Sequence, residues 1–137
     1  MKRQVISTAH GMPPTGPFVQ AIKVENFLFM SGCRGIDPET NGVPKNDIHA
    51  EARQVFENIK AVIEAAGGKM KDIVSTTVYV RDMYRFRPVV NELYEEYFGK
   101  DYPTRTIVEV SRLNGDDNIE ITAAIAYIPQ CSVPQGS

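Results

Sequence analysis

A chain of 137 residues, 42% hydrophobic and 23% charged, can bury one domain's core and is short for two. Fifteen basic and 17 acidic residues give a formal net charge of -2, so no positive excess points to nucleic acid or an anionic membrane. Two cysteines, Cys33 and Cys131, cannot build a disulfide framework, and no run reaches the ~20 apolar residues of a membrane span or resembles a secretory leader.

The expectation is a single-domain cytosolic protein with free thiols. The domain is placed over residues 1–128, and the polar, proline-bearing stretch 129–137 is expected to be a loose tail. In chain order, Val19–Val24 and Phe27–Ser31 read as two strands joined by a two-residue turn at Glu25-Asn26. The stretch 37–46 (DPETNGVPKN) is turn chemistry. From Ala52 the period changes: Ala52, Val55, Phe56, Ile59, Val62, Ile63 and Ala66 form one helical stripe, stopped by Gly67-Gly68. Ile73–Val80 (IVSTTVYV) is β-branched and aromatic, a strand.

A second helix is predicted with Pro88 in its first turn, Val89, Val90, Leu93, Tyr94, Tyr97 and Phe98 on its buried side, and Gly99 at its end. Thr104–Val110 and Ile119–Ile128 are the last strands. In the latter, Ile119, Ile121, Ala123, Ile125 and Tyr127 alternate with Glu120, Thr122, Ala124 and Ala126. The order implies an α+β fold with two helices on one face of a sheet. The other face, expected to carry Thr76, Ala124 and Ala126, lacks a solvating row of charge and suits contact with another subunit.

Few residues invite a chemical role. Arg105 stands early in a strand, where a guanidinium must face either water or an anion, and its fork matches a carboxylate. Spacing alone favours water. Glu120, between Ile119 and Ile121, is either solvent-facing or a proton carrier in a partly dry pocket, and Glu109 has the same look. If the strands of Arg105 and Glu120 paired as a hairpin, the two side chains would stand about 13 Å apart. One small substrate could then use both only if two subunits each supplied one. His10 and His49 have no ligand at metal spacing, no motif places Ser31 in a triad, and Gly32-Cys33-Arg34-Gly35 is no phosphate loop. Cys33 reads as a small core residue more readily than as a reactive thiolate.

Several ordered segments together resemble the RidA (YjgF/UK114) family from about Gln4 to Ala126. They are Gly16–Ala21 (GPFVQA), Phe29–Gly32 (FMSG), Asn58 with Ala65-Ala66-Gly67, Val78–Met83 (VYVRDM), Asn91–Phe98 (NELYEEYF), Pro103-Thr104-Arg105 and Ile119-Glu120-Ile121. The resemblance implies a chorismate-mutase-like subunit, a homotrimer with clefts between subunits, and hydrolysis of enamine or imine acids such as 2-aminoacrylate, with no cofactor and no metal. Carried over by position, Arg105 would clamp the substrate carboxylate and Glu120 would orient water and move protons. Phe18, Ser31, Gly32, Cys33 and Asn91 would line the cleft, and the backbone at Ile107 would touch the ligand.

Phe18, Cys33 and Ile107 depart from the family's usual tyrosine, glutamine and cysteine, which makes the expected cleft less polar. Arg34, also unusual, could meet a second anionic group. A larger or dicarboxylic substrate such as 2-aminomuconate follows as an expectation. The competing readings are a carboxylate-binding or regulatory trimer without turnover, a ribonuclease or translation inhibitor, and a chaperone. Charge and the lack of a basic, aromatic-interleaved patch argue against the ribonuclease.

Overall fold

The computed structural model describes residues 2–129, so Cys131 and the predicted tail beyond Pro129 lie outside the described residues. Six strands form one sheet: β1 (Arg3–Ile6), β2 (Ala21–Val24), β3 (Phe27–Met30), β4 (Ile73–Val80), β5 (Thr104–Glu109) and β6 (Ile119–Tyr127). Two helices, α1 (Ile48–Ala65) and α2 (Met83–Phe98), cover one face. The strand order is β1-β2-β3-β6-β4-β5, with β4 and β5 parallel and every other pair antiparallel. The α+β expectation therefore holds.

Each helix start is fixed by an aspartate. Asp47 accepts the Ala50 N–H at 3.0 Å and opens α1, a turn before the apolar stripe begins. Asp82 accepts the Arg85 N–H at 3.3 Å and opens α2. Pro88 is consequently not in the first turn of α2, as predicted, but lies inside the helix, where its missing N–H leaves the Tyr84 carbonyl without an i+4 donor. Gly67 ends α1 in the left-handed region, at φ 90°, where a side chain would be strained.

The core lies between the helices and the sheet. Val55, Phe56, Ile59, Val62 and Ile63 of α1, with Phe86, Val90, Leu93 and Phe98 of α2, pack on Leu28, Val78, Val80, Ile119 and Ile121. Phe56 meets the Tyr94 ring edge-on at 5.6 Å and stacks on Tyr97 at 5.1 Å. At ~25 cal/mol per Å² of apolar surface, burying side chains of this size stabilises by roughly 1.5–3 kcal/mol each.

Two expectations about the sheet fail for one reason. The β4–β6 register shifts between Ile73 and Ser75 and again between Ser75 and Thr77. These bulges reverse the alternation. Ile119 and Ile121 are buried, yet at the far end of β6 it is Ala126 that is buried and Tyr127 that is exposed. Thr76 likewise faces the helices, hydrogen-bonded to the Tyr94 hydroxyl at 2.6 Å. The open face carries Val5, Phe27, Phe29, Val108 and Tyr127; of the small residues expected there, Thr76 and Ala126 are buried, and the side chain of Ala124 lies outside the described residues.

Candidate active site

Arg105 belongs to the edge of the sheet. Arg105 lies on β5 opposite Thr76 of β4, and Thr76 also donates to the Thr104 carbonyl at 3.1 Å. That pairing draws the start of β5 beneath α2. Arg105 Nη1 donates to Asn91 Oδ1 at 2.7 Å, and its guanidinium lies 5.0 Å from the Tyr94 ring centroid. Asn91 and Tyr94, three residues apart, share one face of α2. Burial pushes the Tyr94 phenol pKa up, against the Thr76 hydrogen bond and the Arg105 charge. An open cleft of about 400 Å³ is lined by Asn91, Tyr94, Glu95, Tyr102, Pro103 and Arg105. Among the described residues, no carboxylate forms an ion pair with Arg105.

The acid occupies a different cleft. Glu120 pairs with Tyr79 of β4 in register and so points to the open face. There a cleft of about 340 Å³ gathers Met12, Phe18, Ser31, Gly32, Arg34 and Glu120. Gln20 ties down the preceding segment: its side chain accepts from Thr8 N at 2.8 Å and donates to the Met12 carbonyl at 2.8 Å. The Ser31 hydroxyl is engaged by the Val19 carbonyl at 2.6 Å. Gly32 admits the carboxylate, since a Cβ there would collide with Glu120 Oε2 and lie 3.2 Å from its Cδ. Burial raises the Glu120 pKa, the Asp117 charge raises it further, and Arg34 opposes both.

Arg105 and Asn91 thus line one cleft, and Phe18, Ser31, Gly32 and Glu120 line another. Cys33 belongs to neither: its side chain is buried in the core, and burial, then the charge of Glu120, pushes its thiol up to about 12. The expectation that it lines the cleft is corrected, because the backbone bridge between Cys33 and Ile121 turns both side chains to the helix-covered face. The Ile107 side chain packs against the same core. Glu109, indistinguishable from Glu120 by periodicity, accepts the Met83 N–H at 2.9 Å at the start of α2.

The hairpin premise is also corrected: β4 separates β5 from β6. Arg105 is level with Thr76 and Glu120 with Tyr79. Three residues along the strand and two strand spacings across give about 14 Å, and the two side chains point to opposite faces. One chain cannot bring them to the same small molecule.

Sequence reasoning missed the polar scaffold beneath the Glu120 cleft. Arg34 makes a bidentate pair with the fully buried Asp117, Nε to Oδ2 at 2.5 Å and Nη2 to Oδ1 at 3.1 Å. Buried Glu51 accepts from the Asn118 backbone N–H at 2.9 Å and from its side-chain amide at 2.8 Å. Asn58 donates to the Arg34 and Ile36 carbonyls. The available signals were Arg34, expected to meet an anionic group and met here by Asp117, and the polar residues at positions 51 and 58 beside an apolar stripe. Among the described residues, no group of three or more His, Cys, Asp and Glu side chains is placed to hold a metal, and no helix is long and apolar enough to cross a membrane.

A family model described as Endoribonuclease L-PSP matches residues 8–128. A RutC family protein of Pyrococcus horikoshii is 51% identical over 125 residues, covering 91% of this chain and 98% of its own. A 2-iminobutanoate/2-iminopropanoate deaminase of Escherichia coli is 42% identical over 123 residues, covering 88% and 94%. The crystal structure of RidA from the Antarctic bacterium Psychrobacter superposes with a TM-score of 0.86 at 39% identity, covering 91% of this chain and 99% of the other.

Proposed function

Since the chain belongs to the RidA (YjgF) family, the one whose matching model is described as Endoribonuclease L-PSP, we propose that it hydrolyses reactive enamine and imine carboxylic acids to 2-keto acids and ammonia. The observation that carries this reading is Arg105, fixed by Asn91 and Tyr94 in an open cleft with no acidic partner among the described residues. A guanidinium so held retains donors for a substrate carboxylate.

The proton carrier is Glu120, and it comes from a neighbouring copy of the chain. The opposite-face placement of Arg105 and Glu120 supports this, and the exposed Phe27, Phe29, Val108 and Tyr127 give the open face apolar surface for a second copy to cover. A closed homotrimer would build the same composite site at each interface. Within it, Arg105 fixes the carboxylate and places the C=N carbon near Glu120. A proton delivered to the enamine β-carbon gives the imine. Water adds to the C=N carbon, its proton passes through Glu120 to nitrogen, and the carbinolamine expels ammonia as the C=O bond forms. Positioning and proton transfer are the contributions required.

The substrate is proposed to be larger or more apolar than 2-aminoacrylate, since Phe18 presents a ring without a hydroxyl to the Glu120 cleft. A dicarboxylate such as 2-aminomuconate would need a second cation there, and Arg34 is committed to Asp117 through Nε and Nη2. The test is ammonia release from imines generated in situ from amino acids of increasing size. Wild type should accelerate hydrolysis, and Arg105→Ala and Glu120→Ala should each abolish it. Ligand binding without acceleration would favour a carboxylate-binding regulator, and preference for the smallest imine would refute the size assignment. The family model's description motivates a parallel RNA-cleavage assay, for which the net charge of -2 predicts no activity.

A further inference from the structure

Arg34 is held more firmly than a surface arginine needs to be. Asp117, fully buried, grips its side chain at two points, and Asn58 of α1 donates to its backbone carbonyl at 2.9 Å. Its Nη2 lies so close to Gly115 that a Cβ there would collide with it. Lys45, donating to the Gly115 carbonyl, stands 3.8 Å from Asp117 Oδ1, the oxygen that also takes Arg34 Nη2.

The same segment carries Glu120. Cys33 and Ile121 exchange backbone hydrogen bonds, N to O, at 2.7 and 3.1 Å. Arg34 and Glu120, one residue beyond that bridge on each strand, fall beside each other and line one cleft. Asp117 lies three residues before Glu120. We propose that Arg34 is a positioning residue for Glu120, a cation fixed beside its carboxyl whose charge is balanced in turn by Asp117. This rests on the reading of Glu120 as proton carrier.

The arrangement works as a see-saw. Arg34 favours the carboxylate form of Glu120, whereas Asp117 opposes it directly and also holds the cation in place. The other groups facing Glu120 are the Tyr79 ring on β4, the Thr122 hydroxyl on β6 and the Cys33 thiol behind it, with Glu51 next to Arg34 and Lys45 next to Asp117. None is a second fixed cation touching the carboxyl, so loss of Arg34 removes the favouring charge, whereas loss of Asp117 removes the opposing one and leaves Arg34 without its counter-charge.

The experiment is a ¹³C NMR titration of the Glu120 carboxyl in the whole protein, its resonance assigned by its disappearance in Glu120→Gln. Arg34→Met should raise the midpoint by roughly one pH unit and Asp117→Asn should lower it by a similar amount. The double variant should return close to wild type. If Arg34→Met does not fold, a fall in Asp117→Asn with recovery in the double variant carries the same conclusion. An unmoved midpoint in Asp117→Asn, or shifts of the same sign in both single variants, overturns it. Midpoints that move as expected while the pH profile of kcat/KM stays fixed support the positioning role and refute Glu120 as proton carrier.

Discussion

Replacing Gly32 by alanine separates the site from the scaffold. Gly32 does not have a positive φ, so alanine brings no backbone strain. The added methyl meets the Glu120 carboxylate, with Cδ at 3.2 Å and Oε2 nearer still, and reaches Thr122 Oγ1 at an ordinary 3.5 Å. Restoring a normal contact requires the carboxylate to withdraw by about 1 Å. It is the far end of a half-buried side chain and can swing toward solvent, so global stability should change by less than about 1 kcal/mol. A displacement of that size in the proposed proton carrier should lower kcat/KM about 100-fold. Steady-state hydrolysis of an imine generated in situ, with a urea unfolding curve on the same preparation, reads both quantities. Gly32→Ala with kcat/KM within about threefold of wild type would refute the placement of Glu120 as the working acid.

Glu51→Gln should destabilise by about 2 kcal/mol, seen as a lower urea midpoint, because one oxygen facing Asn118 becomes an amide nitrogen opposed to a buried donor. Glu120→Gln should stabilise the fold at neutral and alkaline pH while removing activity. The folded pKa of Glu120 is raised, so its protonated form contributes stability below the unfolded value that is lost as pH rises through the folded value. The advantage of glutamine in thermal melts should therefore grow with pH above the usual carboxylate range and vanish below it.

Elements with a local cause were legible in the sequence. The β-branched run fixed β4 to the residue, and the apolar stripe with Gly67 located the body and end of α1. Its first turn was missed because Ile48–Glu51 looks polar, although Glu51 is fully buried and pairs with Asn118, 67 residues away. Pro88 drew the start of α2 five residues too late, while the aspartate that caps the helix, Asp82, stood in plain view. Strand adjacency was not legible: β5 and β6 are consecutive in the chain, but β4 lies between them. The bulges that turn Ala126 inward leave no mark in an alternating stretch. Of the candidate residues, Arg105 and Glu120 could be singled out as charges in apolar strands, whereas the Arg34–Asp117 pair spans 83 positions with no local signature.

If, as proposed, the guanidinium on one side of the sheet and the acid on the other serve one substrate from neighbouring copies, each polypeptide is incomplete in a complementary way. Two inactive alleles, one lacking Arg105 and one lacking Glu120, would each keep the half the other has lost. Refolded or expressed together, they should recover part of the activity that neither has alone, in proportion to how often unlike copies meet.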